Sequence, residues 1–323
     1  MSNSQQLSLE KRTITCTKNT QTQDMSSSNT DTDTITTCAK CGKEGESLKA
    51  CTACKLVKYC NRECQIAHRK QHKKECKKRA AELYDEKLFK EPPFDECPIC
   101  FLPMPIDSDI SSVESCCGKR MCNGCIYAMT MSEGGADLCA FCRTPGFCSD
   151  EEHIKRTMKL IDNGNGEGFL LLATAYNQGT FGMPQDSEKA NELNLKAGEL
   201  GCAKGYYNLG HSYDIGTGVE VDKKKAKHYY ELAAMMGHTH ARHNLALIEN
   251  EVGNHHRSFK HFMISARAGT KRSLDCVKQG FINGLVTKDE YANTLRAYQA
   301  RQDEMKSDER DSVASAMQEI GLE

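Results

Sequence analysis

Cysteine spacing constrains the fold of this chain more than any other feature of its sequence. Fifteen of its nineteen cysteines fall in two dense blocks, 38–76 and 97–142. The N-terminus is polar and lacks the apolar core of a signal peptide, so we expect a reducing compartment, the cytoplasm and/or the nucleus. Cysteines in such a compartment are interpreted first as metal ligands. The sequence therefore predicts small modules that fold around bound metal.

The first block has the spacing C-x2-C-x9-C-x2-C-x5-C-x3-C-x7-H-x3-C. Eight ligands make two closed tetrahedral zinc sites of the structural kind. His72 and Cys76 are four residues apart in a segment of helical character, which puts both on one face of a helix and toward one zinc ion. The remaining candidate ligands are Cys38, Cys41, Cys51, Cys54, Cys60 and Cys64.

This block resembles a MYND finger, most specifically in "KYCNRECQ" and "HKKEC". The resemblance implies that the two sites interleave, and that the finger binds short peptides that contain Pro. His68 is helix-spaced from Cys64, and we expect it to be a surface histidine. Arg69 stands where many MYND fingers carry Trp. The implied ligand sets are Cys38, Cys41, Cys60 and Cys64 for one zinc, and Cys51, Cys54, His72 and Cys76 for the other.

The second block opens with "CPIC" and closes with "CAFCR", around "SCCGKRMCNGC". Lys119 stands where a histidine ligand would be expected, and a lysine ammonium cannot bind zinc. Two assignments supply the missing ligand: the adjacent pair Cys116 and Cys117, for which Gly118 helps to provide a tight turn, or Cys117 with Cys148. The adjacent pair completes an eight-cysteine pattern made of Cys97, Cys100, Cys116, Cys117, Cys122, Cys125, Cys139 and Cys142. The two blocks together then predict four zinc ions.

With the adjacent pair, 97–142 resembles the cross-braced C4C4 variant of RING fingers. That resemblance implies a surface that holds a ubiquitin-loaded conjugating enzyme in a reactive arrangement. The candidate contacts are Ile99, Phe141 and Arg143, whereas Ala140 stands where Pro is common. The sequence leaves two functions open: a RING-type ubiquitin ligase whose repeats recruit clients, and a non-enzymatic adaptor that uses every module to bind proteins.

Internal repeats dominate the C-terminal half. Asp186 and Asp222 are 36 residues apart, as are Gly201 and Gly237, and shorter copies begin near 241 and 273. Within each unit the apolar spacing is helical, as in Ala226, Tyr230 and Ala233. Asp186, Asp222 and Thr287 are predicted N-caps, Thr287 with Glu290 as a capping box, and Gly201, Gly237 and Gly269 are predicted C-caps. Each unit is therefore expected to be a helical hairpin that must stack on its neighbours. Over 165–300 the units resemble Sel1-like repeats, relatives of the tetratricopeptide class. The resemblance implies an all-α solenoid that binds proteins, in which Asn208 and Asn244 line the concave face or simply belong to the repeat pattern.

These motifs divide the chain into a disordered tail (1–37), a MYND-type finger (38–79), a helical linker (80–96) that ends at Pro92 and Pro93, a RING-like finger (97–148), a solenoid (160–302) and a polar C-terminal tail (303–323). No run of 18 apolar residues occurs, so no membrane span is expected. Thirteen Lys or Arg against four Asp or Glu give 38–79 a net charge of +9. We do not expect nucleic acid as a partner, because no aromatic residue except Tyr59 interleaves usefully with this charge.

Overall fold

The computed structural model describes residues 37–45, 47–91, 95–106, 111–132, 138–146 and 149–319. The predicted tail, except Thr37, lies outside these residues, as do Pro92 and Pro93. The chain divides into two units, 1–79 and 80–323. The described residues form four short strands and twelve helices. A cysteine-rich N-terminal part is thus followed by an all-α solenoid, as the sequence predicts.

The first unit is built around its cysteines. Strand β1 (Lys49–Ala50) pairs antiparallel with β2 (Lys58–Tyr59), and helix α1 begins at Arg62 and ends at Leu88. The buried apolar cluster consists of Cys38, Cys51, Cys54 and Tyr59. So few side chains bury too little apolar surface to fold such a module, which therefore depends on ligand binding at its thiols.

The second unit begins with the end of α1 and a second cysteine-rich module. Strand β3 (Ser111–Val113) pairs antiparallel with β4 (Arg120–Cys122), and helix α2 (Asn123–Met131) follows β4 directly. Met121 packs with Cys97, Cys122 and Cys125 in the core of this module. Here too, most of the buried core consists of candidate metal ligands.

Helical hairpins make up the rest of the second unit. Helices α4 and α5, α6 and α7, α8 and α9, and α10 and α11 pair within hairpins, and successive hairpins stack on one another. The apolar positions predicted from the repeat are buried, with Ala226, Tyr230 and Ala233 fully so. The helix bounds are α3 Asp150–Asp162, α4 Gly166–Gln178, α5 Ser187–Glu199, α6 Ala203–Ile215, α7 Lys223–Met235, α8 Thr239–Glu251, α9 His255–Arg267, α10 Lys271–Ile282, α11 Lys288–Met305 and α12 Asp308–Glu319.

The helix ends confirm the capping predictions. The side chains of Asp186 and Asp222 accept hydrogen bonds from backbone N–H groups in the first turns of α5 and α7. Thr287 and Glu290 form a capping box at the start of α11. The glycines at 201, 237 and 269 have φ of 98°, 98° and 112°, the left-handed region that glycine adopts at little cost after a helix.

Three features differ from the sequence expectations. Helix α3 packs on α4, so the helical array begins at Asp150 and not at 160. Helix α12 occupies much of the segment expected to be a polar tail, and it packs on α2. The expected helical linker from 80 is helical as far as Leu88, but it packs as part of the second unit, where Leu88 is fully buried among α7 and α8. Within the described ranges, no helix is both long and apolar enough to cross a membrane.

Candidate metal centres

Two clusters of ligand atoms lie in the first unit. Cluster A is Cys38, Cys41, Cys60 and Cys64, and cluster B is Cys51, Cys54, His72 and Cys76; within each, all four ligand atoms lie within 4.8 Å of one another. Helix α1 supplies ligands to both clusters, Cys64 to cluster A and His72 and Cys76 to cluster B. These positions are four or eight residues apart, which places them along one face of the helix. The structure therefore brings together the two sets that the MYND resemblance implies.

The second unit holds two further clusters of the same size. Cluster C is Cys97, Cys100, Cys122 and Cys125, and cluster D is Cys116, Cys117, Cys139 and Cys142. The first and third Cys pairs along the chain meet in C, and the second and fourth meet in D. This alternation is the cross-braced arrangement expected from the sequence.

The doubled cysteine belongs entirely to cluster D. The Sγ atom of Cys116 lies 3.3 Å from that of Cys142, and the Sγ atom of Cys117 lies 3.8 Å from that of Cys139. Gly118 turns the chain with a φ of 70° while its N–H donates to the carbonyl of Glu114. Two adjacent side chains can therefore point toward one centre. The competing candidate, Cys148, lies outside the described residues.

Separations between sulfur atoms fit zinc and exclude disulfides. Zn–S bonds of about 2.3 Å in a tetrahedron place sulfurs about 3.8 Å apart, whereas a disulfide would need about 2.05 Å. Cys41 and Cys60 are 3.7 Å apart in cluster A, and Cys51 and Cys76 are 3.8 Å apart in cluster B. In cluster C the corresponding separations are 3.7 and 3.8 Å. The four clusters fit four zinc ions.

A shared backbone turn supports these clusters. The residue after the second cysteine has positive φ in four places: Gly42 (71°), Lys55 (60°), Phe101 (57°) and Arg143 (60°). Its N–H donates to the carbonyl of the first cysteine each time, at 2.8–3.0 Å. Three of these residues carry side chains in a region that favours glycine, which costs about 1 kcal/mol or more each. Contacts outside the turn must therefore hold its backbone in this conformation. A metal ion bound by the two cysteines of the turn would supply that restraint.

Each cluster favours the thiolate form at one cysteine and disfavours it at others. In each, one thiol has its pKa lowered from the usual 9.0 to about 6. Backbone N–H groups of Cys41 and Cys60 lower the pKa of Cys38, and the hydroxyl and N–H of Thr144 lower that of Cys142. Burial and the neighbouring thiols raise the pKa of Cys116. The three thiolates of cluster B, or the four of clusters A, C and D, cannot share a site without a cation to offset their repulsion.

Residues near the clusters differ in their exposure. Ile99, within the first Cys pair of cluster C, has 39% of its surface exposed, and Arg143 is exposed. Phe141 is half-buried, with the Lys119 ammonium 5.1 Å from its ring centroid. His68 is not in a cluster. It is therefore not a ligand, as expected, although it is only partly exposed and lies 3.1 Å from the Tyr59 hydroxyl.

The end of α1 occupies a surface of the solenoid. The Leu88 side chain is fully buried, and its carbonyl accepts a hydrogen bond from Arg242 Nη1 at 2.9 Å. Arg242 is only 2% exposed and donates its other terminal nitrogen to the carbonyl of Ala234. Phe89 stacks on His261 with ring centroids 4.5 Å apart. The contacts that flank these are Tyr84 with Glu231, Asp85 with Arg257 and Glu91 with Arg267. The sequence analysis expected only a helical linker here and did not anticipate this docking.

The repeated asparagines form hydrogen bonds between neighbouring helices of the solenoid. Asn208 donates to Asn194 at 3.2 Å, and Asn244 donates to the Tyr230 hydroxyl at 3.1 Å. Each bond joins a helix to the preceding helix, which favours a role in the repeat pattern. Asn208 also lines a polar groove of about 500 Å³ on α4–α6, together with Asn177, Asn194 and His211.

Comparison with protein families identifies two of the modules. Residues 38–76 match the MYND finger family. Residues 170–202 and 203–238 each match the Sel1 repeat. Both are protein-interaction modules, so the chain has a zinc-binding, protein-interaction role. No curated protein matches the chain.

Solved structures similar to this chain include Sel1 repeat proteins. A Sel1 repeat protein from Oxalobacter formigenes is 21% identical, with 46% of this chain and 64% of that one covered and a TM-score of 0.41. The protective antigen c5321 of uropathogenic Escherichia coli, which displays an SLR fold, is 23% identical, with 49% and 44% covered and a TM-score of 0.30. The immunity protein Pa5087 from Pseudomonas aeruginosa is 16% identical, with 56% and 63% covered and a TM-score of 0.35. The chain spans less than two thirds of each of these structures.

Proposed function

We propose that this chain is a RING-type ubiquitin-protein ligase in which the 97–142 finger positions a ubiquitin-loaded conjugating enzyme. The observation that carries the proposal is the cross-braced pairing of clusters C and D beside an exposed Ile99 and an exposed Arg143. A RING performs no covalent step. It accelerates transfer by holding the thioester in a reactive arrangement.

All sixteen residues of clusters A–D serve as zinc ligands in this proposal. Bound zinc supplies folding free energy to modules whose cores are otherwise too small. The protein's own part is to present the ligands as thiolates and a neutral imidazole, at separations that a tetrahedral ion bridges. Clients are recruited by the MYND finger and by the repeats.

Arg143 and Ile99 have separate roles. The Arg143 backbone is held by the turn of cluster D, since its N–H donates to the carbonyl of Cys139 at 3.0 Å, while its side chain is exposed. Its guanidinium can donate hydrogen bonds to two partners at once, the conjugating enzyme and its ubiquitin. Ile99 provides apolar contact area for the enzyme itself, and Phe141 extends it.

We place client binding on the polar groove of α4–α6. The surface of α7–α9 is filled by residues 84–91 of the same chain, whereas the groove is lined by amide side chains, which match the hydrogen-bonding groups of a peptide backbone. A protein client with an extended segment fits such a groove.

A non-enzymatic adaptor is the second candidate. Ala140 replaces the Pro common in active RING fingers, and the Lys119 ammonium covers part of Phe141. Both observations weaken the surface that would bind a conjugating enzyme. An adaptor would keep all four zinc ions and the client groove without stimulating ubiquitin transfer.

A discharge assay separates the two candidates. Conjugating enzymes loaded with ubiquitin are mixed with wild type, Arg143→Ala, Ile99→Ala and Lys55→Ala. Lys55 is the matched control, because it follows a Cys pair with the same φ of 60°, but in the MYND finger. A ligase predicts several-fold slower discharge with Arg143→Ala, weaker enzyme binding with Ile99→Ala, and no change with Lys55→Ala. Equal rates for every variant and a protein-free control, across a panel of conjugating enzymes, would leave the adaptor.

A further inference from the structure

Arg310 links the C-terminal helix to cluster C. It lies in the first turn of α12, and its Nη1 donates to the carbonyls of Pro103 and Met305 at 2.9 and 3.0 Å. Its Nη2 lies 3.5 Å from the Sγ atom of Cys100. One half-buried cation therefore contacts a sulfur of cluster C from 210 residues further along the chain.

The backbone of α12 approaches the finger closely at the same point. A Cβ added to Gly124 on α2 would lie 2.7 Å from Arg310 Cγ and 3.1 Å from its backbone nitrogen. Real Cβ atoms essentially never come within 2.7 Å of another heavy atom, so a residue larger than glycine at 124 would force α12 to shift. The contact therefore depends on a residue of each helix, Gly124 of α2 and Arg310 of α12.

The charge of Arg310 is opposite to the net charge expected at a zinc-loaded cluster C. Four thiolates around one Zn²⁺ leave a net charge of −2, and a guanidinium that donates to a sulfur offsets part of it. A sulfur that accepts such a hydrogen bond is also less open to attack by electrophiles, which is one route by which a zinc thiolate site loses its metal.

We propose that Arg310 is a positioning residue of cluster C, so that the docked helix α12 slows zinc loss and shields Cys100 from thiol reagents. The C-terminal helix is then part of the metal centre. This inference depends on the zinc binding proposed above and is independent of ligase activity.

Site-resolved alkylation tests the proposal on the full zinc-loaded chain. Wild type, Arg310→Met, Arg310→Lys and the control Arg296→Met are challenged with a chelator and N-ethylmaleimide. Arg296 is an exposed arginine on α11. Cleavage at Lys, Arg and Glu then separates four peptides, because cuts after Glu96, Glu114, Lys119, Arg120, Glu133 and Arg143 isolate each Cys pair. The two pairs of cluster D provide an internal reference.

Arg310→Met preserves the length and apolar stem of the side chain while removing its charge. We expect the pairs of cluster C to be alkylated about 10-fold faster or more, the range found when hydrogen bonds around metal ligands are removed. Arg310→Lys should restore part of the protection because it keeps the charge. Cluster D and the Arg296→Met protein should behave like wild type. Unchanged alkylation of cluster C in Arg310→Met, or equal effects of Met and Lys, would overturn the proposal.

Gly124→Ala provides a second approach, because it displaces α12 while leaving Arg310 in the chain. Backbone hydrogen exchange at 308–319 should rise, and cluster C should lose zinc faster. Faster exchange with unchanged zinc loss would also overturn the proposal. A wild-type chain without zinc in cluster C by native mass spectrometry would instead refute the zinc binding on which the proposal rests.

Discussion

Replacing Leu88 tests whether the end of α1 is part of the solenoid core. The side chain is fully buried with Ala226, Tyr230, Ala233 and Leu245, although it precedes those residues by more than 130 positions. Leu88→Ala removes the apolar contacts and leaves a cavity, since the helices around it cannot fully collapse. The measured range for such substitutions is about 2.7–5 kcal/mol, and we expect about 3 kcal/mol because Tyr230 can relax toward the space.

Urea unfolding followed by helical circular dichroism measures this loss. Leu247→Ala is the matched control, because it makes the same change on α8 where the side chain is 42% exposed. The control should change the free energy of unfolding by about 0.5 kcal/mol or less. Equal unfolding free energies for the two variants would refute the docking of 84–91, and with it the conclusion that this segment packs as part of the second unit.

Two further predictions concern the second unit. Burial, with the charges of Arg242 and Arg257, lowers the pKa of His261 to about 3 from the usual 6.5. As the pH falls through about 6.5, only the unfolded chain takes up a proton at this histidine, so the free energy of unfolding decreases on acidification. His261→Phe removes this group, and it should reduce the decrease between pH 7.5 and 5.5 by about 1.4 kcal/mol. Urea unfolding of both proteins at the two pH values measures the difference. A parallel loss in both proteins would contradict this. Gly205→Ala should cost about 1–3 kcal/mol, because its Cβ would lie 2.5 Å from the Asn194 carbonyl oxygen and 2.7 Å from the Gly198 nitrogen; an unchanged urea midpoint would show that α5 and α6 can separate.

Local chemistry made much of this molecule predictable. A Cys-x-x-Cys pair can direct both sulfurs to one centre, and helical spacing directs His72 and Cys76 together, so partners within each pair could be predicted from the sequence. The first two repeats lie 36 residues apart and carry the same apolar positions, the same N-cap Asp and the same Gly. This repetition makes their helices recognisable from the sequence. In both cases the determining contacts are close along the chain or repeat at a fixed interval.

Long-range docking was not predictable in the same way. Leu88 meets Arg242 across 154 residues, and Arg310 meets Cys100 across 210, without any periodic signal. Helix α12 has mostly polar residues, so composition favoured a tail. One missed element did carry a local signal: Ser149 and Glu152 have capping spacing, and the Ser149 side chain accepts from the Glu152 N–H at the start of α3.

Native mass spectrometry of the full chain, purified without chelator, tests the central claim most directly. The account predicts four zinc ions in the wild type, three in Cys116→Ser and in Cys117→Ser, and four in Cys148→Ser. Loss of one zinc from each doubled-cysteine variant would establish that adjacent cysteines share cluster D. Three or fewer ions in the wild type, or a Cys116→Ser protein that retains four while Cys148→Ser loses one, would contradict the account.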